Sequence, residues 1–186
     1  MVRRLTVVPL ALCVCASALA AEIGGIRLDD KVSVGGQELL LNGAGVRTKL
    51  MFRIYVAGLY LPQKAADLAS VLAKGPRRVQ MTLLRNVTAD ELIGAFVEGL
   101  NANNSPAEMA AVKAQTDQLV AIMKAFRAVR EKDVVVLDFV DGGTTIVFNG
   151  EARGTIPGAG FNAALMRIWL GDQPAQPDLR KAMLGA

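Results

Sequence analysis

The sequence predicts an α+β domain in which a layer of helices covers one face of an antiparallel sheet, and three observations predict it. Short alternating or β-branched runs dominate the first part of the chain and return near residue 135, capped helix starts fill the middle, and helical periodicity closes the C-terminus. No internal repeat, low-complexity tract or charge run interrupts that order, so residues 21–186 read as one domain with enough chain to bury a core without staples.

Residues 1–20 are expected to be a secretory signal peptide. MVRR gives a positive start, Leu5 to Ala16 an apolar run, and Ala18-Leu19-Ala20 a small-x-small cleavage signal, with Ala21 as the next end point. The run is shorter than the roughly 20 apolar residues a spanning helix needs, and Pro9 interrupts it. Cys13 and Cys15 both fall inside it, and Leu12 stands where a lipoprotein signal has a small residue, so the mature chain carries neither disulfide nor thiol. Removal of the segment lowers the formal charge from +4 to +2, which gives no reason to expect nucleic acid as a partner. The expected location is periplasmic or secreted, with no membrane span once the signal is gone.

The elements follow in order. KVSVGGQELLLN, residues 31–42, holds two β-prone runs around Gly35-Gly36, a hairpin signal. GVRTK then places Arg47 on a glycine-flanked bend. Beyond it Leu50, Phe52, Ile54 and Val56 alternate with Met51, Arg53, Tyr55 and Ala57, a strand expected to bury the first set and to show a partly polar second face. By that periodicity Arg53 shares the face of Tyr55. Asp67 to Lys74 reads as a short helix stopped by Gly75-Pro76, and Arg78 to Leu84 as a strand.

Thr88 with Glu91 forms a capping box for a helix reaching about Asn101, and Ser105-Pro106 with Glu108 forms a second. The second helix is expected to carry Met109, Val112, Leu119, Met123, Phe126 and Val129 as one apolar stripe facing the core. DVVVLDFV and TTIVF flank Asp141-Gly142-Gly143, a hairpin with its turn chemistry in place. Gly150 to Gly160 lacks the lysine and hydroxyl spacing of a phosphate loop and reads as a connector with one short strand. Phe161 to Leu170 is a helix ended by Gly171, and Pro177-Asp178-Leu179 starts a short last one.

The inventory for catalysis is thin. The chain has no histidine, and with both cysteines in the signal segment the thiol nucleophiles, Ser-His pairs and most zinc or copper sites drop out. Asp138, Asp141, Asp90 and Glu91 each have an ordinary task at a turn or a cap. No metal and no cofactor are expected. What remains is arginine and tyrosine: a guanidinium binds a carboxylate or enolate through parallel hydrogen bonds, and a phenol adds a third.

Three segments carry a family resemblance. GAGVR followed by FRIYVAGLYLP, Gly75-Pro76 leading into a strand that ends on Arg85, and LMRIWLGDQPAQPDLRKAMLG at 165–185 resemble, in that order, the chalcone isomerase fold and its bacterial, signal-peptide-bearing, chalcone isomerase-like group. The resemblance covers nearly all of the mature chain and implies an open-faced β-sandwich, an antiparallel sheet with helices on one face. It also places the isomerases' catalytic arginine on Arg47, their active-site lysine on Arg85, their strand threonine on Tyr55 and the hydroxyl residue of the penultimate helix on Ile168. Their helix tyrosine and asparagine have no counterpart in TADELIGAFVEGL.

The fatty-acid-binding members of that fold resemble this sequence in having an arginine and a tyrosine at the places of Arg47 and Tyr55, where the pair holds the ligand's carboxylate. The expected function is therefore a non-catalytic periplasmic binding protein for a small amphipathic acid such as a fatty acid, with Arg47 and Tyr55 as the clamp and Arg85, Arg53 and Ile168 as further candidates. The alternative is an isomerase or intramolecular lyase that uses Arg47 to stabilise an enolate or phenolate. A weaker one is heme binding through Tyr55 or a methionine. Trp169, the one tryptophan, is adjacent to Ile168 and is expected in the core.

Overall fold

Seven strands pair antiparallel into one sheet of order β11-β10-β9-β6-β5-β4-β3 in the computed structural model, which describes residues 21–73 and 75–186. The expected signal peptide, with Cys13 and Cys15, lies outside the described residues, as does Lys74. The strands are β3 (Lys31–Val34), β4 (Gln37–Lys49), β5 (Phe52–Leu61), β6 (Arg77–Leu83), β9 (Val134–Val140), β10 (Gly143–Phe148) and β11 (Glu151–Ile156). Two small pairs flank them, β1 (Ala21–Ile23) with β2 (Ile26–Leu28), and β7 (Val87–Thr88) with β8 (Ala128–Val129). The helices are α1 (Leu68–Val71), α2 (Ala89–Asn103), α3 (Pro106–Ala111), α4 (Lys113–Lys124), α5 (Ala159–Leu170) and α6 (Pro177–Met183).

The helices segregate to one face. Tyr55, Ala57, Leu59 and Leu61 of β5 share a buried cluster with Leu92, Phe96 and Leu100 of α2, Leu119 and Met123 of α4, and Leu165, Ile168 and Trp169 of α5. Each of the leucine, isoleucine, methionine and phenylalanine side chains contributes on the order of 1.5–3 kcal/mol by leaving water, so the α2–α5 layer is held chiefly by burial. The opposite face carries a separate small cluster of Val34, Leu39 and Tyr60 with Val32, Leu41 and Val140. This curled sheet with helices on one side is the α+β, open-faced arrangement that the resemblance implied.

Both capping boxes form. Thr88 Oγ1 accepts from the Glu91 N–H at 3.1 Å while Glu91 Oε2 accepts from the Thr88 N–H at 2.7 Å, and Ser105 and Glu108 do the same at the start of α3. Gly35 and Gly36 have φ of 57° and 81°, which makes the β3–β4 connection the two-residue turn that their sequence calls for.

Several expectations fail. The stripe from Met109 to Val129 is not one helix: the chain leaves helical geometry at Val112 (φ −109°, ψ 15°), α4 ends at Lys124, and Val129 pairs with Val87 as a strand. Its residues still face the core, because periodicity reports which side chains are buried and not whether the backbone between them is continuous. Arg47 does not sit on a bend, since GAGVR runs inside the long strand β4. The face expected to be buried is not the core face either: Leu50 forms the β4–β5 turn with φ of 57° and is 91% exposed, Phe52 is 50% exposed, and Tyr55 and Ala57 of the other set pack under the helices.

The glycines of GAGVR have a packing reason. A Cβ on Gly43 would stand 2.1 Å from the Ala182 carbonyl oxygen, and one on Gly45 would stand 2.8 Å from the Ala182 Cβ. Only bare backbone lets α6 lie this close to β4. The buried carboxamide of Asn42 locks the same contact by donating to the Met183 and Ala65 carbonyls at 2.8 and 2.9 Å.

Candidate ligand-binding site

Arg47 and Tyr55 are register partners on β4 and β5, directly opposite each other across the ladder. Side chains that face one another in an antiparallel pair share one side of the sheet, here the helix side. The pairing was readable from the spacing of the two residues only through the family pattern; the ladder now supplies it physically.

The Tyr55 phenol is buried, and burial raises its pKa, opposed by the Trp169 hydrogen bond and by the nearby Arg47 charge. It is therefore a neutral hydroxyl near pH 7. Trp169 Nε1 donates to it at 3.2 Å, which uses the oxygen as acceptor and leaves its own hydrogen to give away. Among the described residues no acceptor is paired with that hydrogen. Phe96 of α2 meets the Trp169 ring edge-on, 5.6 Å between centroids at 83°, so the indole is fixed from both sides.

Arg47 is half-buried, and its Nη1 donates to the Thr48 carbonyl at 2.6 Å and to Gln176 Oε1 at 3.4 Å. Among the described residues no carboxylate forms an ion pair with it. Gln176 precedes Pro177 at the start of α6, yet its side chain does not cap that helix; its Oε1 accepts from the Thr48 N–H at 2.7 Å. Sequence reasoning passed over this residue, because a glutamine before a proline looks like a helix boundary and nothing local shows that it reaches β4.

The other candidates lie elsewhere. Between Arg47 and Thr48 the ladder steps one residue on β4 against two on β5, from Tyr55 to Arg53, so Ile54 is an extra residue and the alternation inverts. Arg53 consequently does not share the face of Tyr55. It donates to the Gly24 carbonyl, in the β1–β2 turn that lies over Val46 and Val56 on the opposite side. Arg85 is exposed and places its guanidinium 4.6 Å from the centre of the Phe52 ring. Ile168 is 3% exposed and packed on Gly99 of α2, where a Cβ would stand 2.8 Å from its Cγ2. The fold thus gathers Arg47, Tyr55, Trp169 and Gln176, with Ile168 one position from Trp169, while Arg53 and Arg85 belong to the outer surface.

Among the described residues, the space beside the pair is occupied by packed side chains. The side chains of Ile168, Trp169 and Phe96 fill the space between sheet and helices. Two surface grooves of about 430 and 420 Å³ occur near Arg77 and near Asn42, and neither is lined by Arg47 or Tyr55. Among the described residues no cluster of His, Cys, Asp or Glu has metal-ligand grouping, and no helix is long and apolar enough to cross a membrane.

A family model described as chalcone isomerase-like matches residues 20–185. Among solved structures, a fatty-acid binding protein of Arabidopsis thaliana matches with a TM-score of 0.65 at 11% identity, over 86% of this chain and 92% of that one, a likeness of fold. No curated protein matches.

Proposed function

The chain belongs to the chalcone isomerase-like family, and from that premise we propose a non-catalytic binding protein, exported to the periplasm or beyond, for a small amphipathic acid, most simply a fatty acid. Its domain would start at Ala21 after removal of residues 1–20. The observation that carries this reading is a pair with no charged partner: a half-buried guanidinium that donates to neutral oxygens and meets no carboxylate among the described residues, opposite a neutral phenol whose hydrogen has no acceptor among them. A carboxylate between them would accept from Arg47 and Tyr55 together, a charge-assisted arrangement stronger than either bond to a neutral group.

The fold neighbour described as a fatty-acid binding protein supports the same class of ligand. Entry of an acyl chain requires the side chains of Ile168, Trp169 and Phe96 to give way, since they fill the layer that the chain would occupy. Gln176 Oε1 stands where a carboxylate oxygen would approach the guanidinium, and the ligand takes over that place. Enolate chemistry is less well served. Ile168 offers no hydroxyl, and Arg85, in the place of the isomerases' lysine, lies on Phe52 at the surface.

Native mass spectrometry of the protein isolated from the exported fraction tests the reading. A co-purified fatty acid supports it, and a porphyrin or a saturable, Arg47-dependent cyclisation of a chalcone overturns it.

A further inference from the structure

The tip of the β4–β5 hairpin puts apolar side chains where the backbone and the solvent both disfavour them. Lys49 pairs with Phe52, so Leu50 and Met51 form a two-residue turn. Such turns favour glycine or asparagine at a positive φ, yet the residue at φ 57° is Leu50. Leu50 is 91% exposed, Met51 84% and Phe52 50%, and these three consecutive residues are the exposed large hydrophobics of the described chain. A leucine this exposed contributes almost nothing to folding, and the left-handed backbone costs it on the order of 1 kcal/mol.

Cations surround the tip. Lys49, Arg53 and Arg85 are exposed on its flanks, and Arg85 lies over the Phe52 ring at 4.6 Å. The acid that senses both Arg85 and Lys49 is Glu91, whose carboxylate is held by Thr88 in the capping box. The Glu131 N–H donates to Asn86 Oδ1, next to Arg85 in the chain.

We propose that this hairpin tip docks the protein on an anionic phospholipid bilayer, with Leu50, Met51 and Phe52 entering the headgroup–acyl boundary and Lys49, Arg53 and Arg85 remaining at the phosphates. Long basic side chains around a small apolar tip suit that boundary, where apolar contact and attraction to anionic lipid act together. A stable protein interface buries about 800 Å² per partner, more than three side chains offer. The inference does not rest on the carboxylate reading of Arg47 and Tyr55.

Flotation of the full chain with vesicles of phosphatidylcholine alone, or mixed with phosphatidylglycerol, decides it. Residues 1–20 are common to all variants, so differences belong to the tip. Wild type is expected to float with the anionic vesicles and to be released by salt. The double variant Leu50→Ser, Met51→Ser should lose about tenfold or more in partitioning by the apolar area removed, and Arg85→Gln about fivefold by the charge removed. Both variants alter exposed side chains, and an unchanged melting temperature confirms that they fold. Equal partitioning of wild type and the double variant, equal binding to neutral and anionic vesicles, or no binding to either overturns the proposal.

Discussion

Trp169 donates its indole N–H to the Tyr55 hydroxyl across 3.2 Å, joining α5 to β5 through two buried side chains. Trp169→Phe removes ring volume and leaves the phenol without its donor, so stability should fall by about 1–3 kcal/mol. Tyr55→Phe should cost about 1 kcal/mol. The double variant should lose about 1 kcal/mol less than the sum of the single losses, measured by urea unfolding. Strict additivity would mean that the two groups are merely neighbours.

The glycines under α6 give a sharper test of packing. In Gly43→Ala the new Cβ would meet the backbone oxygens of Ala182 and Met183 at 2.1 and 2.9 Å, so α6 has to lift or β4 has to bend. The expected loss is about 2 kcal/mol or more. Gly94, on the exposed side of α2, has nothing within 4 Å of its Cβ position, so Gly94→Ala should gain about 0.5–1 kcal/mol from helix propensity alone. A harmless Gly43→Ala would show that the α6 contact is loose.

Much of this was legible in the sequence, for identifiable reasons. Thr88-Glu91 and Ser105-Glu108 are local signals, complete within four residues, and both caps form. The face of Arg53 was not legible, because a bulge is a property of two strands at once: Ile54 becomes an extra residue only against Arg47 and Thr48. Gln176 escaped for the same reason, its partner Thr48 being distant in sequence. The break at Val112 shows the limit of periodicity, which stays in phase with the core while the backbone changes direction. The Arg47–Tyr55 pairing came from family resemblance, and no spacing argument within the chain would have supplied it.

Tyr60 predicts an alkaline weakness. It is fully buried on the face opposite the helices, its hydroxyl has no hydrogen-bond partner among the described residues, and burial, with Asp29 and Asp30 nearby, pushes its pKa up to about 12 against the pull of Arg78. The folded state therefore keeps a proton that the unfolded chain releases near pH 10. The stability due to that proton is fully present below about pH 10 and is lost as pH rises toward about 12, by on the order of 2–3 kcal/mol. Tyr60→Phe removes this share of the slope. At pH 7 it should be neutral or stabilising by about 1 kcal/mol, because it deletes an unpaired buried hydroxyl. Urea titrations of both proteins at neutral and alkaline pH check it; identical pH slopes would place the Tyr60 hydroxyl in contact with solvent.

The clamp itself is tested by titrating laurate or palmitate and following Trp169, whose emission reports the site directly because it is the one tryptophan and touches Tyr55. Arg47→Ala leaves a buried carboxylate without its cation, so binding should weaken by roughly 2–3 kcal/mol. Tyr55→Phe deletes one donor and should cost about 1 kcal/mol. Gln176→Ala separates the clamp from its resting partner: the guanidinium loses a competitor, so affinity should hold or rise slightly, while the Thr48 N–H loses its acceptor and stability drops by about 1 kcal/mol. Opposite signs for binding and stability in Gln176→Ala are the signature of an amide that stands in for the ligand. Equal affinities in all four proteins would eliminate the clamp, and a large loss of melting temperature in Arg47→Ala alone would make the arginine a strut between β4 and α6.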